Sequence, residues 1–114
     1  MPHFVIDCSE NIIELKNPEE IMQNVFDSAV SSQLFEEGDI KVRINPFKHY
    51  NIGDSKNHFI HIFANIMEGR SSEQKSNLSR GVISELKNMF PEVAIISINI
   101  RDFEKATYCN KSMV

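Results

Sequence analysis

The chain is expected to fold as a two-layer α/β sandwich, an α+β arrangement in which tandem β-α-β repeats form a four-stranded mixed sheet with two helices on one face. Three observations predict it. The order strand, helix, strand occurs twice along the 114 residues. His3-Phe4-Val5-Ile6 is echoed 55 residues further on by His58-Phe59-Ile60-His61, and Asp39-Ile40-Lys41-Val42 falls opposite Ala94-Ile95-Ile96-Ser97 at the same spacing. A polar stretch from Pro46 to Asn57, containing Gly53, Asp54 and Ser55, separates the two halves.

The first strand is read in Phe4 to Cys8, a short apolar run broken by Asp7. A helix follows. Ile21, Met22, Val25, Phe26 and Ala29 recur at three- and four-residue spacing, after Pro18 and two glutamates suited to a first turn. Ile40 to Ile44 closes the first half as a strand. In the second half, Phe59 to Ile66 is rich in β-formers. Leu78, Val82, Ile83, Leu86 and Phe90 then make one helical face, with Ser71 and Ser72 offering N-caps. Val93 to Ile100 is the fourth strand. A β-α-β crossover favours parallel strands joined by a right-handed connection. The expected organisation is one domain over 1–114, with a first repeat at about 2–45, a link at 46–57, a second repeat at about 58–102 and a short tail at 103–114. Helices on one side leave the other face of the sheet bare and partly apolar, and a symmetric oligomer is the economical cover.

Composition bounds the function. Hydrophobic residues make up 41% and charged residues 25%, as in ordinary globular proteins. A formal net charge of −4 and the lack of a basic stripe argue against nucleic acid as a partner. No run approaches the length needed to span a bilayer, and the opening MPHFVIDCSEN lacks a basic n-region followed by an apolar stretch. Two distant cysteines, Cys8 and Cys109, complete an expectation of a reduced, cytoplasmic setting without membrane contact. Cys8 reads as a buried structural thiol rather than a nucleophile, and the methionines as core filler.

Four residues carry candidate chemistry. Removal of Met1 would leave Pro2 with a free secondary amine, whose reference pKa of roughly 7.7–8.0 falls further on burial or beside cations. Such an amine can take a proton from carbon. Equally, Pro2 is a proline that follows the start of the chain. Arg70, in Met67-Glu68-Gly69-Arg70-Ser71-Ser72, stands on a Gly-led turn before a helix N-terminus, where a fork of donors and the helix end both suit a carboxylate. It could instead pair with a local glutamate at the surface. Lys41 and Arg43 alternate with Ile40, Val42 and Ile44, so they share one strand face. They read either as a solvated face or as a cationic patch for a substrate with two carboxylates. His58 and His61 point to opposite faces of a strand and are poor joint ligands, so no metal site is expected.

The segment Glu68-Gly69-Arg70-Ser71-Ser72-Glu73-Gln74-Lys75 resembles the EGRSxEQK stretch of 4-oxalocrotonate tautomerase. The opening Pro2-His3-Phe4-Val5-Ile6-Asp7-Cys8-Ser9-Glu10-Asn11 looks like the 5-carboxymethyl-2-hydroxymuconate delta-isomerase family, the doubled-length branch of the tautomerase superfamily. The resemblance implies a cytoplasmic homotrimer with active sites near subunit boundaries. It implies an isomerase acting on a small anionic unsaturated carboxylic acid from homoprotocatechuate breakdown, with Pro2 as base, Arg70 as a carboxylate-binding, charge-stabilising residue, and no cofactor. Where the family carries an arginine pair on the second strand, this sequence has Lys41 and Arg43. Lysine keeps the charge but loses the two-bond fork. The C-terminal stretch from Tyr108 to Val114 is also shorter than the family pattern, which bears on trimer contacts. Alternatives are another reaction of the superfamily, decarboxylation or dehalogenation, and a non-catalytic trimeric interaction protein like the macrophage migration inhibitory factor branch.

Overall fold

In the computed structural model, which describes residues 1–53 and 57–114, the strands lie in the order β2-β1-β3-β4. They are β1 (His3–Ser9), β2 (Lys41–Phe47), β3 (Phe59–Met67) and β4 (Ile95–Phe103). β1 runs parallel to β2, β3 runs parallel to β4, and the central pair β1 and β3 is antiparallel. This is the mixed four-stranded sheet that two tandem β-α-β units make when joined through their first strands. Asp54 and Ser55, read as part of the link, lie outside the described residues.

Two long helices cover one face: α2 (Pro18–Ser31) and α3 (Ser72–Met89), preceded by a single turn, α1 (Ile12–Leu15). Each long helix begins where its chemistry allows. Asn17 caps α2 by accepting from the Glu19 amide at 2.8 Å, and Pro18 follows in the first turn, where its missing N–H costs nothing. Ser71 caps α3 in a reciprocal box: its Oγ accepts from the Gln74 amide at 3.1 Å, while Gln74 Oε1 accepts from the Ser71 amide at 2.9 Å.

Alternation decides which side chains meet the helices. Phe4, Ile6 and Cys8 of β1 and Ile60, Ile62, Ala64 and Ile66 of β3 are fully buried. All of these except Ile66 pack with Ile21, Val25 and Ala29 of α2 and with Leu78, Val82 and Leu86 of α3 in one apolar core. The opposite face carries Val5, Phe59, Phe63 and Met67 among polar residues, all half-buried. There His61 bridges to β4, with Ser97 Oγ 2.6 Å from Nδ1 and Asn99 Oδ1 2.6 Å from Nε2, and Arg101 lies 4.1 Å from the Phe63 ring centre. Among the described residues no α-helix covers that face.

The repeat differs in detail from the sequence reading. An offset of 55 would make Phe4 equivalent to Phe59, yet Phe4 faces the helices and Phe59 the opposite side. The true correspondence is marked by backbone bonds: Glu10 N donates to Phe47 O at 2.8 Å, and Glu68 N donates to Phe103 O at 3.1 Å. Strand bounds also move. β2 extends to Phe47, past the expected Ile44 and into the stretch read as a link, because it is an edge strand and tolerates Pro46, which has no N–H to give. β4 begins at Ile95 and runs to Phe103, since residues 91–94 form the turn that leaves α3.

Candidate active site

The antiparallel pairing of β1 with β3 brings the start of the chain to where β3 ends, with His3 opposite Asn65. Parallel pairing with β2 puts His3 opposite Lys41, and the Lys41 amide donates to Pro2 O at 3.1 Å. Pro2 is therefore fixed at the meeting point of three strands. It is buried, on the helix side of the sheet like Phe4 and Ile6.

Arg70 reaches the same place from the other repeat. Gly69, with φ of 119°, provides the left-handed step that turns the chain out of β3, a conformation side chains rarely adopt. The Arg70 guanidinium donates to Leu34 O at 2.7 Å and to Met67 O at 3.2 Å, and its carbon lies 5.2 Å from the centre of the Phe35 ring. Among the described residues it joins no ion pair; in place of the alternative pairing with a local glutamate it bonds two carbonyls. A guanidinium has five N–H donors. Two donate to carbonyls, so donors remain for an anion, although Glu36 and Asp39 line the same cavity.

Pro2 and Arg70 line one cavity of about 240 Å³ with Met1, Gln33, Leu34, Phe35, Glu36 and Asp39. The far wall is the turn that follows α2, where Gln33 takes a left-handed φ of 61° and redirects the chain across the end of the sheet. Residue-by-residue reading missed this wall. Its only signal in the sequence is the polar, glycine-containing run Glu36-Glu37-Gly38-Asp39. With Met1 attached, the proline nitrogen is an amide and carries no basic lone pair.

Lys41 and Arg43 do not line this cavity. They share the face away from the helices, as their alternation with Val42 and Ile44 predicts. Lys41 Nζ turns back to donate to Asp39 O at 2.9 Å, and Arg43 lies 3.1 Å from His3 Nδ1. Burial first, then the neighbouring Arg43 and Lys41 charges and the chain N-terminus, hold the His3 imidazole below its ordinary value of 6.5. A neutral His3 can accept the Arg43 bond. Cys8 is fully buried, and its thiol is pushed up to about 11 by burial and by Asp7, which leaves it protonated and inert.

A mixed β2-β1-β3-β4 sheet under two long helices is the fold of the tautomerase superfamily. Within it, the model of the 5-carboxymethyl-2-hydroxymuconate isomerase family matches residues 2–113, and the chain belongs to that family, an isomerase by this membership. Solved structures agree on the fold. A 5-carboxymethyl-2-hydroxymuconate isomerase from Deinococcus radiodurans R1 superposes with a TM-score of 0.84 at 24% identity, covering 96% of this chain and 88% of that one. A 5-carboxymethyl-2-hydroxymuconate delta-isomerase gives 0.81 at 18% identity, covering 97% and 87%. A fused 4-OT, a symmetric trimer, gives 0.81 at 12% identity over 98% and 96%. Among curated protein sequences, none matches significantly.

Proposed function

We propose that the chain, after loss of Met1, isomerises an unsaturated hydroxy acid such as 5-carboxymethyl-2-hydroxymuconate, with the Pro2 amine as general base. The observation that carries this reading is the shared cavity: a buried proline at the chain start faces an arginine with no acidic partner among the described residues. Arg70 grips a carboxylate of the substrate through its free donors. The neutral amine takes a proton from the substrate, and the electron pair spreads through the conjugated system as a dienolate. Arg70 offsets that negative charge, and the protonated amine returns the proton at another carbon, so no atom or electron is gained or lost. A positioned base of this kind contributes about 10²–10⁴-fold in rate, and fixed positive charge adds to it.

Lys41 and Arg43 enter this reading through assembly. On the bare sheet face they are available to a neighbouring copy, and a homotrimer would cover that face and bring cations to a substrate with more than one carboxylate. The setting inferred is the cytoplasm, and the pathway is aromatic-acid breakdown. Lys41 supports a second reading, in which the same base serves decarboxylation or dehalogenation of a related acid; a panel of substrates separates the two. The test of the base is Pro2→Ala in protein whose mass confirms loss of Met1, assayed spectrophotometrically on 5-carboxymethyl-2-hydroxymuconate. Most of the turnover should disappear. Near-normal turnover in that variant would remove Pro2 from the reaction.

A further inference from the structure

We propose that Phe35 is a positioning residue that holds the Arg70 guanidinium in its substrate-binding orientation, an inference that rests on reading Arg70 as the carboxylate grip. An arginine side chain has many rotamers, and freezing it only when the ligand arrives costs affinity. Here it is frozen in advance. The Leu34 carbonyl takes one N–H at 2.7 Å, and the next residue in the chain, Phe35, sets its ring 5.2 Å from the guanidinium carbon. The ring attracts the cation through its face, and an aromatic plane restricts the guanidinium plane as a carbonyl alone does not.

Phe35 is itself braced. Its ring meets the ring of Phe4 edge to face, with centres 6.0 Å apart and planes at 80°. Phe4 is fully buried in β1, two residues after Pro2. The chain of contact therefore runs from the strand that carries the proposed base, through two aromatic rings, to the proposed grip, and it fixes one relative to the other. Gln33 supplies the local geometry. Its left-handed φ of 61° turns the chain just before Leu34 and Phe35 cross the cavity. A Phe35 serving the core alone would have no reason to touch the cation; it is half-exposed and lines the cavity wall.

The test is a double-mutant cycle on 5-carboxymethyl-2-hydroxymuconate turnover in Met1-free protein, with Phe35→Leu, Arg70→Gln and the pair. Phe35→Leu should raise KM about tenfold with a smaller fall in kcat, about threefold, because the carboxylate grip is already made with bound substrate while the charge Arg70 offsets develops only in the transition state. The same change in the Arg70→Gln background should have no further effect on KM. Phe35→Tyr, which keeps the π face, should restore wild-type KM. Phe35→Met fills a similar volume without a π face and replaces the leucine variant if that one fails to fold. A tenfold rise in KM that persists in the Arg70→Gln background would mean Phe35 acts through packing alone and would overturn the proposal. So would an unchanged KM in Phe35→Leu. If Arg70→Gln alone leaves KM and kcat at wild-type values, the carboxylate grip is wrong and the positioning role falls with it.

Discussion

Replacing Arg70 by glutamine separates what the residue does for the fold from what it does for the substrate. In the fold it makes two bonds to carbonyls, at 2.7 and 3.2 Å, and a ring contact at 5.2 Å. The side chain is half-buried, so the carbonyls of Leu34 and Met67 can be rehydrated when it goes. The cost to stability should be about 1 kcal/mol, within the net worth of ordinary hydrogen bonds, and the melting temperature should fall by roughly 4 °C for a chain of this size. The cost to the substrate should be larger. Hydrogen bonds to a charged group are worth about 1.5–3 kcal/mol each, and partial exposure screens the pair, so a loss of about 2–3 kcal/mol is expected. That is roughly 30- to 150-fold in kcat/KM at about 1.4 kcal/mol per factor of ten. Arg70→Lys, which keeps the charge without the fork, should fall in between. The assays are spectrophotometric turnover and a thermal melt on the same preparation. A cooperative melt with kcat/KM within about threefold of wild type would refute the reasoning.

Two further predictions concern the scaffold. Ile62 is fully buried on the central strand β3, between Ile6 and Ile98, so Ile62→Ala should cost about 3–4 kcal/mol, near the middle of the range for such truncations. Urea unfolding should show a lower midpoint at unchanged slope, and a loss under about 1.5 kcal/mol would mean the core can collapse into the space. His3 is held below its ordinary 6.5, so the unfolded chain binds its proton first as pH falls. Stability should therefore decline as pH drops through 6.5 and level off below the folded value, and His3→Asn should flatten that part of the melting-temperature profile. An identical profile in the variant would assign the pH dependence elsewhere.

Most of the scaffold was legible because period and burial agree. With the exceptions of Ile66 and Ile83, the residues that alternate in β1 and β3, and those spaced by three and four in α2 and α3, are the ones that meet in the core. The repeat was legible as an order of elements but not as a register. A shift of one residue exchanges the two faces of a strand, and local similarity of His-Phe pairs cannot weigh that. Pro46 reads as the start of the polar link, yet β2 runs on to Phe47 because an edge strand tolerates the missing N–H. The site was half legible. Pro2 and Arg70 stood out because their chemistry and neighbours are local in sequence. The wall opposite them was not, since the Leu34 carbonyl and the Phe35 ring act through a turn whose direction depends on Gln33 adopting a conformation that glycine or asparagine would have announced. Alternation puts Lys41 and Arg43 on one strand face, but which face looks into the cavity follows from the helix layer, not from alternation.

The central claim is that the free amine of Pro2 is the base, and the most direct measurement compares kcat/KM on 5-carboxymethyl-2-hydroxymuconate for two forms of one sequence, with and without Met1. Both share the fold and Arg70; they differ at the proline nitrogen, an amine in one and an amide in the other, and in Met1 itself, which lines the cavity in the longer form. The form without Met1 should turn over rapidly, and the form that retains it should be slower by at least about 10²-fold. Equal turnover by the two forms would contradict the account.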